Sequence, residues 1–234
     1  MSTRLIVDQS SQLQEYRETA HQPQSVIIRL IAKVISYIFH PLFVPVYIAG
    51  FLITVQPYLF ASFTPAEKLL TLIRFFIMYS FFPLVTVLLA KGLGFLDSIY
   101  LKTQKDRIIP YIACGVYYFW MCYVLRNQPQ FSKEVVQLSM AIFIASSLGL
   151  LVNIIMKVSM HAISMGILLV FMSLLSFTQA GSYTIYTSIA FLIAGLVCTS
   201  RFIVSDHTPA EIYTGLLVGG ISQLIAVWAD GILP

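Results

Sequence analysis

Only 10% of the 234 residues are charged, 14 basic against 10 acidic for a net charge of +4, while 58% are apolar. A soluble domain carries about 25% charged residues and cannot hide so much apolar surface. A soluble enzyme, a nucleic-acid binder and a disordered chain are therefore excluded, and the mean hydropathy of +0.85 marks a membrane protein.

Residues 1–25 contain Asp8, Glu15 and Glu18 and no apolar core, so they read as a polar N-terminal segment on the membrane surface, not a secretory signal peptide. Residues 26–234 read as a single transmembrane helical domain. At its start Arg29 and Lys33 stand four apart, on one helical face, which suits a helix lying in the interface. Pro41 and Pro45 in the run HPLFVP break a helix there. His40, at this break, is read as an interfacial histidine, with a site role as the alternative.

A bilayer core of roughly 30 Å takes about 20 mostly apolar residues per helix. Such runs lie at about 36–56, 69–90, 108–126, 135–156, 160–178, 184–202 and 209–229. The predicted fold is all-α, a polytopic transmembrane helix bundle of six to seven spans with an N-terminal interfacial segment. Cys114, Cys122 and Cys198 sit in these apolar runs with no metal or disulfide spacing and read as core residues.

Alternation of the spans puts the N-terminus and the loops near 91–107, 157–160 and 201–208 on one face. That face carries ten Lys and Arg against four on the other. Setting aside five basic residues with a chemical role leaves five against four, so the positive-inside rule fixes no orientation.

Those five belong to three loops of the same face: KTQKDRIIP (102–110), KVSMH (157–161) and SRFIVSDHTPAE (200–211). Ionisable groups at membrane depth are costly, and their default reading is functional. Lys102, Lys105, Arg107, Lys157 and Arg201, with the Ser159 hydroxyl, suit a phosphate group gripped by charge-assisted hydrogen bonds. His161 and His207 supply a nucleophile and a proton donor. Glu211, four residues beyond His207, shares its helical face and can hold the imidazole in one tautomer. Thr208-Pro209-Ala210-Glu211 is also a helix-capping box, so Glu211 is a cap, an orienting group or both.

The third loop, Ser200-Arg201, five residues, His207, three residues, Glu211, resembles the SR-x5-H-x3-D signature of the type 2 phosphatidic acid phosphatase superfamily. This is a group of metal-independent lipid phosphatases and related acid phosphatases. Glu211 stands where Asp is usual. Ser159-Met160-His161 takes the place of P-S-G-H, with Val158 for Pro and Met160 for Gly, which reshapes the backbone that would cradle an anion. Arg107 and Pro110 echo K-x6-R-P, but Pro comes three residues after Arg and Tyr100 lies seven before it. Lys102, Lys105 or Lys157 then takes the lysine's role. The match runs from Lys102 to Glu211.

The resemblance implies a mechanism without metal or cofactor. His207 attacks phosphorus, Glu211 orients it, and Arg201, Arg107 and a lysine neutralise the transition-state oxygens. Ser159 donates to the phosphate, and His161 protonates the leaving oxygen. The implied substrate is a membrane lipid phosphate: phosphatidic acid, phosphatidylglycerol phosphate or polyprenyl diphosphate. The expected setting is the bacterial inner (plasma) membrane. Two rivals remain, a non-catalytic binder or transporter of a phosphate-bearing lipid, and an intramembrane metalloenzyme using His161, His207 and Glu211. The absence of H-E-x-x-H counts against the second.

Overall fold

Helix starts in this chain are written by short polar residues ahead of apolar runs. Thr64 and Glu67 form a reciprocal capping box at the start of one helix, and the Thr103 hydroxyl accepts from the Asp106 N–H at the start of another. The computed structural model describes residues 4–7, 13–16, 24–101, 103–178, 183–204 and 207–232. In the N-terminal segment, β1 (Arg4–Val7) pairs antiparallel with β2 (Leu13–Tyr16). The helices follow: α1 (Val26–Ile38), α2 (Val44–Val55), α3 (Pro65–Phe76), α4 (Phe82–Gly92), α5 (Gln104–Arg126), α6 (Lys133–Ile155), α7 (Met160–Thr178), α8 (Thr184–Val204) and α9 (Pro209–Ile232).

Among the described residues, six helical stretches are long and apolar enough to cross a membrane: α3 continuous with α4, and each of α5 to α9. The chain is therefore a multi-pass helical protein. The α3–α4 stretch widens into a π turn over Ile77–Phe81, where the Phe82 N–H reaches back to the Ile77 carbonyl. Pro83, just beyond, has no N–H to offer the Tyr79 carbonyl, so a regular α-helix cannot run through this point.

The expected single span over 36–56 is corrected by the structure. A turn at residues 39–43 separates α1 from α2, and neither helix alone has the length of a span. Pro41 and Pro45 are the cause, because they interrupt the donor ladder of a continuous helix. The stretch nevertheless passes from one end of the bundle to the other. His40 meets His161 at the start of α7, and the Tyr58 hydroxyl meets the Tyr183 hydroxyl, 2.8 Å away, beyond its end.

The outer surface is apolar. Ile155 is 82% exposed, Phe177 87% and Trp228 69%. In water such a surface would aggregate; in a bilayer it meets a solvent of its own kind. Polar side chains turn inward instead, and the Tyr79 hydroxyl bonds the Ser139 hydroxyl at 2.6 Å.

Helices α7 and α9 approach so closely that side chains are excluded between them. A Cβ on Gly219 would collide with the Ile163 carbonyl oxygen, and one on Gly166 with that of Leu216. A Cβ on Gly215 would lie 2.8 Å from the Ser159 oxygen. Small residues let transmembrane backbones touch in this way. The contact brings the α6–α7 loop onto the first turn of α9, where the Ser159 N–H donates to the Glu211 carbonyl at 3.1 Å.

Candidate active site

The first turn of α9 carries the central pair. The Thr208 side chain accepts from the Glu211 N–H at 3.3 Å, and Glu211 Oε2 accepts from the Thr208 N–H at 3.0 Å. Between them they satisfy donors that a helix start leaves open. The same Oε2 lies 3.0 Å from His207 Nδ1. An ionised carboxylate only accepts, so Nδ1 carries the proton and Nε2 keeps a lone pair. His207 and Glu211 are both buried. The imidazole pKa lies below its ordinary value, chiefly through burial, with the hydrogen bond to Glu211 opposing and the charges of Arg107 and Arg201 adding to the fall. At neutral pH the ring is uncharged and Nε2 carries its lone pair.

Arg107, one turn into α5, ties two of the motif loops together. Its Nη1 donates to the Val158 carbonyl at 2.6 Å and its Nε to the Leu101 carbonyl at 3.0 Å. The start of α5 is fixed against the end of α6 by a reciprocal amide pair. Gln104 Nε2 donates to the Asn153 carbonyl at 2.7 Å, and Asn153 Nδ2 to the Gln104 carbonyl at 2.9 Å. The buried Asp106 completes the arrangement by accepting from the Asp97 N–H at 3.0 Å, which folds the α4–α5 loop back over the site.

Arg201, in the last turn of α8, donates from Nη1 to the Ser36 hydroxyl at 3.4 Å. That hydroxyl is 2.9 Å from the Ser200 hydroxyl, which itself donates to the Val197 carbonyl at 2.7 Å. His161 Nε2 lies 3.1 Å from the Ser36 carbonyl oxygen. A carbonyl cannot donate, so this nitrogen carries a proton. One serine of α1 thus engages Ser200, Arg201 and His161 at once. The His161 ring also meets His40 edge to face, with centroids 5.3 Å apart and planes at 81°.

These groups surround a cavity of about 610 Å³, within the usual range for a small-molecule site. Arg107, Lys157, Arg201, His161 and His207 line its polar part, and Ile48, Leu138, Ile142, Ile163 and Ile167 its apolar part. A lining that holds both cations with imidazoles and aliphatic side chains suits an amphiphile with an anionic head.

His207, His161, Arg107, Arg201 and Lys157 share the cavity wall. Glu211 is not in the wall and is bonded to His207, which is. Ser159 is fully buried and not in the wall; its Oγ accepts from the Ala162 N–H at 3.4 Å, as an N-cap to α7. Lys105 is exposed on the first turn of α5 and does not line the cavity. Lys102 lies outside the described residues. Among the described residues no group of three or more His, Cys, Asp or Glu side chains could hold a metal ion, and His161, His207 and Glu211 do not make one.

Sequence reasoning passed over Ser36 and placed Lys33 in the interface, yet both line the cavity, as does His40. Ser36 carried no usable signal, since its partners are distant in the chain. His40 carried one, its position at a proline-marked helix break. The chain matches no family model, no curated protein and no solved structure.

Proposed function

We propose that the protein is an integral-membrane lipid phosphatase that removes a terminal phosphate from a lipid phosphate or diphosphate through a phosphohistidine intermediate. The observation that carries this reading is the His207–Glu211 pair, 3.0 Å apart, at a cavity shared with Arg107 and Arg201. Phosphatidic acid, phosphatidylglycerol phosphate and polyprenyl diphosphate are the candidate substrates, and the bacterial inner membrane is the proposed setting.

His207 Nε2 attacks phosphorus as the bond to the leaving oxygen breaks. Glu211 holds the Nδ1 proton and stabilises the charge that builds on the ring. Arg107, Arg201 and Lys157 neutralise the phosphoryl oxygens, the role a metal plays elsewhere. His161 keeps its Nε2–H on the Ser36 carbonyl; a phosphate arriving as the monoanion passes its proton to Nδ1 of the neutral ring, which hands it on to the leaving oxygen. Water then attacks the phosphohistidine, passes a proton through His161 and releases phosphate from His207.

The test is phosphate release from a panel of the three lipids by purified protein in EDTA, compared with His207→Ala. The reading predicts release by the wild type and none by the variant. A second reading, a non-catalytic binder of a phosphate-bearing lipid, is favoured by Ser159 lying behind the wall and by the Ser36 carbonyl at His161. Lipid-phosphate binding without turnover, unchanged in His207→Asn, would select it.

A further inference from the structure

We propose that His40, outside all three motif loops, is a phosphate-binding residue whose Nε2–H donates to the anionic group held in the cavity. The proposal rests on the reading of the cavity as a phosphate site and adds a donor that the motifs do not contain.

The turn that carries His40 is fixed at several points. The His40 carbonyl accepts from the Phe43 N–H at 2.8 Å, and the Leu42 carbonyl accepts from the Ser80 hydroxyl of the π turn at 2.7 Å. The Leu42 N–H reaches His40 Nδ1 at 3.4 Å. Nδ1 is therefore the acceptor, and the proton of the neutral ring sits on Nε2. Among the described residues no protein acceptor takes that Nε2–H. The ring stands in the wall of the cavity that Arg107, Arg201 and His207 share, edge to face with His161.

The electrostatics agree with this geometry. Burial first, and the Arg201 charge second, lower the imidazole pKa to about 4, so the ring is a neutral donor at physiological pH. Beside an arginine a second cation would be repelled, whereas a neutral N–H adds a hydrogen bond without that cost. The ring is part-buried in a wall shared with cations, so its N–H is placed to donate to an anion held there.

The experiment compares wild type, His40→Phe and His40→Gln in detergent micelles, by two measurements. One is the rise in melting temperature with inorganic phosphate; the other is phosphate release from phosphatidic acid. His40→Phe keeps a ring and removes the donor. It should abolish most of the phosphate-induced rise and lower kcat/KM by about 10- to 100-fold, with KM raised. His40→Gln keeps an N–H and should restore part of both. If His40→Phe does not fold, His40→Leu makes the same comparison. Phosphate binding and KM unchanged in the donor-less variant overturn the inference and leave the phosphatase reading standing. Phosphate binding that depends on His40, with no release from phosphatidic acid or the other candidate lipids, supports the inference and overturns the phosphatase reading. Neither binding nor release by the wild type overturns both.

Discussion

Glu211 Oε2 lies 3.0 Å from both His207 Nδ1 and the Thr208 backbone nitrogen and accepts from each. The cap of α9 and the orientation of the imidazole therefore rest on one carboxylate oxygen. Being three residues after the N-cap and four after His207, Glu211 meets both requirements with one side chain. The two roles left open by the sequence are held together.

Glu211→Gln separates them. The amide oxygen still accepts from the Thr208 N–H, so the helix start should lose about 1 kcal/mol or less. The imidazole loses its anionic partner, and the lipid phosphatase rate should fall by about 10²- to 10⁴-fold. Thermal melting and initial rates on the same preparation check this. A rate equal to the wild type would show that the carboxylate is a cap alone.

Acid should remove both activity and stability. In the proposed reaction His207 attacks as the neutral ring, and its folded pKa lies below 6.5, so the acid limb of kcat/KM should lie below pH 6.5. The same sign applies to folding. His40 and His207 both have folded pKa values below the unfolded one, so the unfolded chain binds more protons as acid is added. Their stabilisation is complete above about pH 6.5 and is lost as pH falls through the folded values, about 4 for His40. Melting curves between pH 7.5 and 4.5 should show a falling midpoint, less steep in His40→Gln. A midpoint that rises on acidification would contradict the assignment.

Helix packing reaches the chemistry through α7 and α9. Gly219→Ala places a Cβ against the Ile163 carbonyl, and rigid backbone on both sides cannot yield cheaply. The expected cost is about 1–3 kcal/mol, from forced separation of the helices. Because the Ser159–Glu211 backbone bond crosses this contact, activity should fall although Gly219 does not itself line the cavity. Gly195→Ala, whose Cβ would meet nothing within 4 Å, is the control and should melt within about 0.5 kcal/mol of the wild type.

The arginine of the first motif should matter more than its neighbouring lysine. Arg107 bonds the Leu101 and Val158 carbonyls through two different nitrogens, a fork that an ammonium cannot copy. Arg107→Lys should lower both melting temperature and phosphate release, the latter by about 10-fold or more. Lys105→Gln, on an exposed side chain, should change release far less. Equal losses in the two variants would mean that Lys105 reaches the substrate.

The sequence made legible what depends on near neighbours. The helical class follows from apolar runs, and the His207–Glu211 pair from an i, i+4 spacing at a capped helix start. The turn at His40 was visible in Pro41 and Pro45, but the apolar run across it read as one span. Distant pairings left no such trace. Ser36 lies 125 residues from His161 and 164 from Ser200, and nothing local to α1 announces either contact. Ser159 illustrates the reverse problem. Its place in a motif suggested phosphate, whereas the tight α7–α9 contact buries it as a cap.

The most direct test of the account is to trap the covalent intermediate. Wild type and His207→Ala are mixed with lipid phosphate labelled in its terminal phosphoryl group, quenched at alkaline pH and analysed for protein-bound label. The account predicts an acid-labile, base-stable phosphohistidine at His207 in the wild type and no label in the variant. Turnover without any protein-bound phosphoryl group, or equal labelling of His207→Ala, would contradict it.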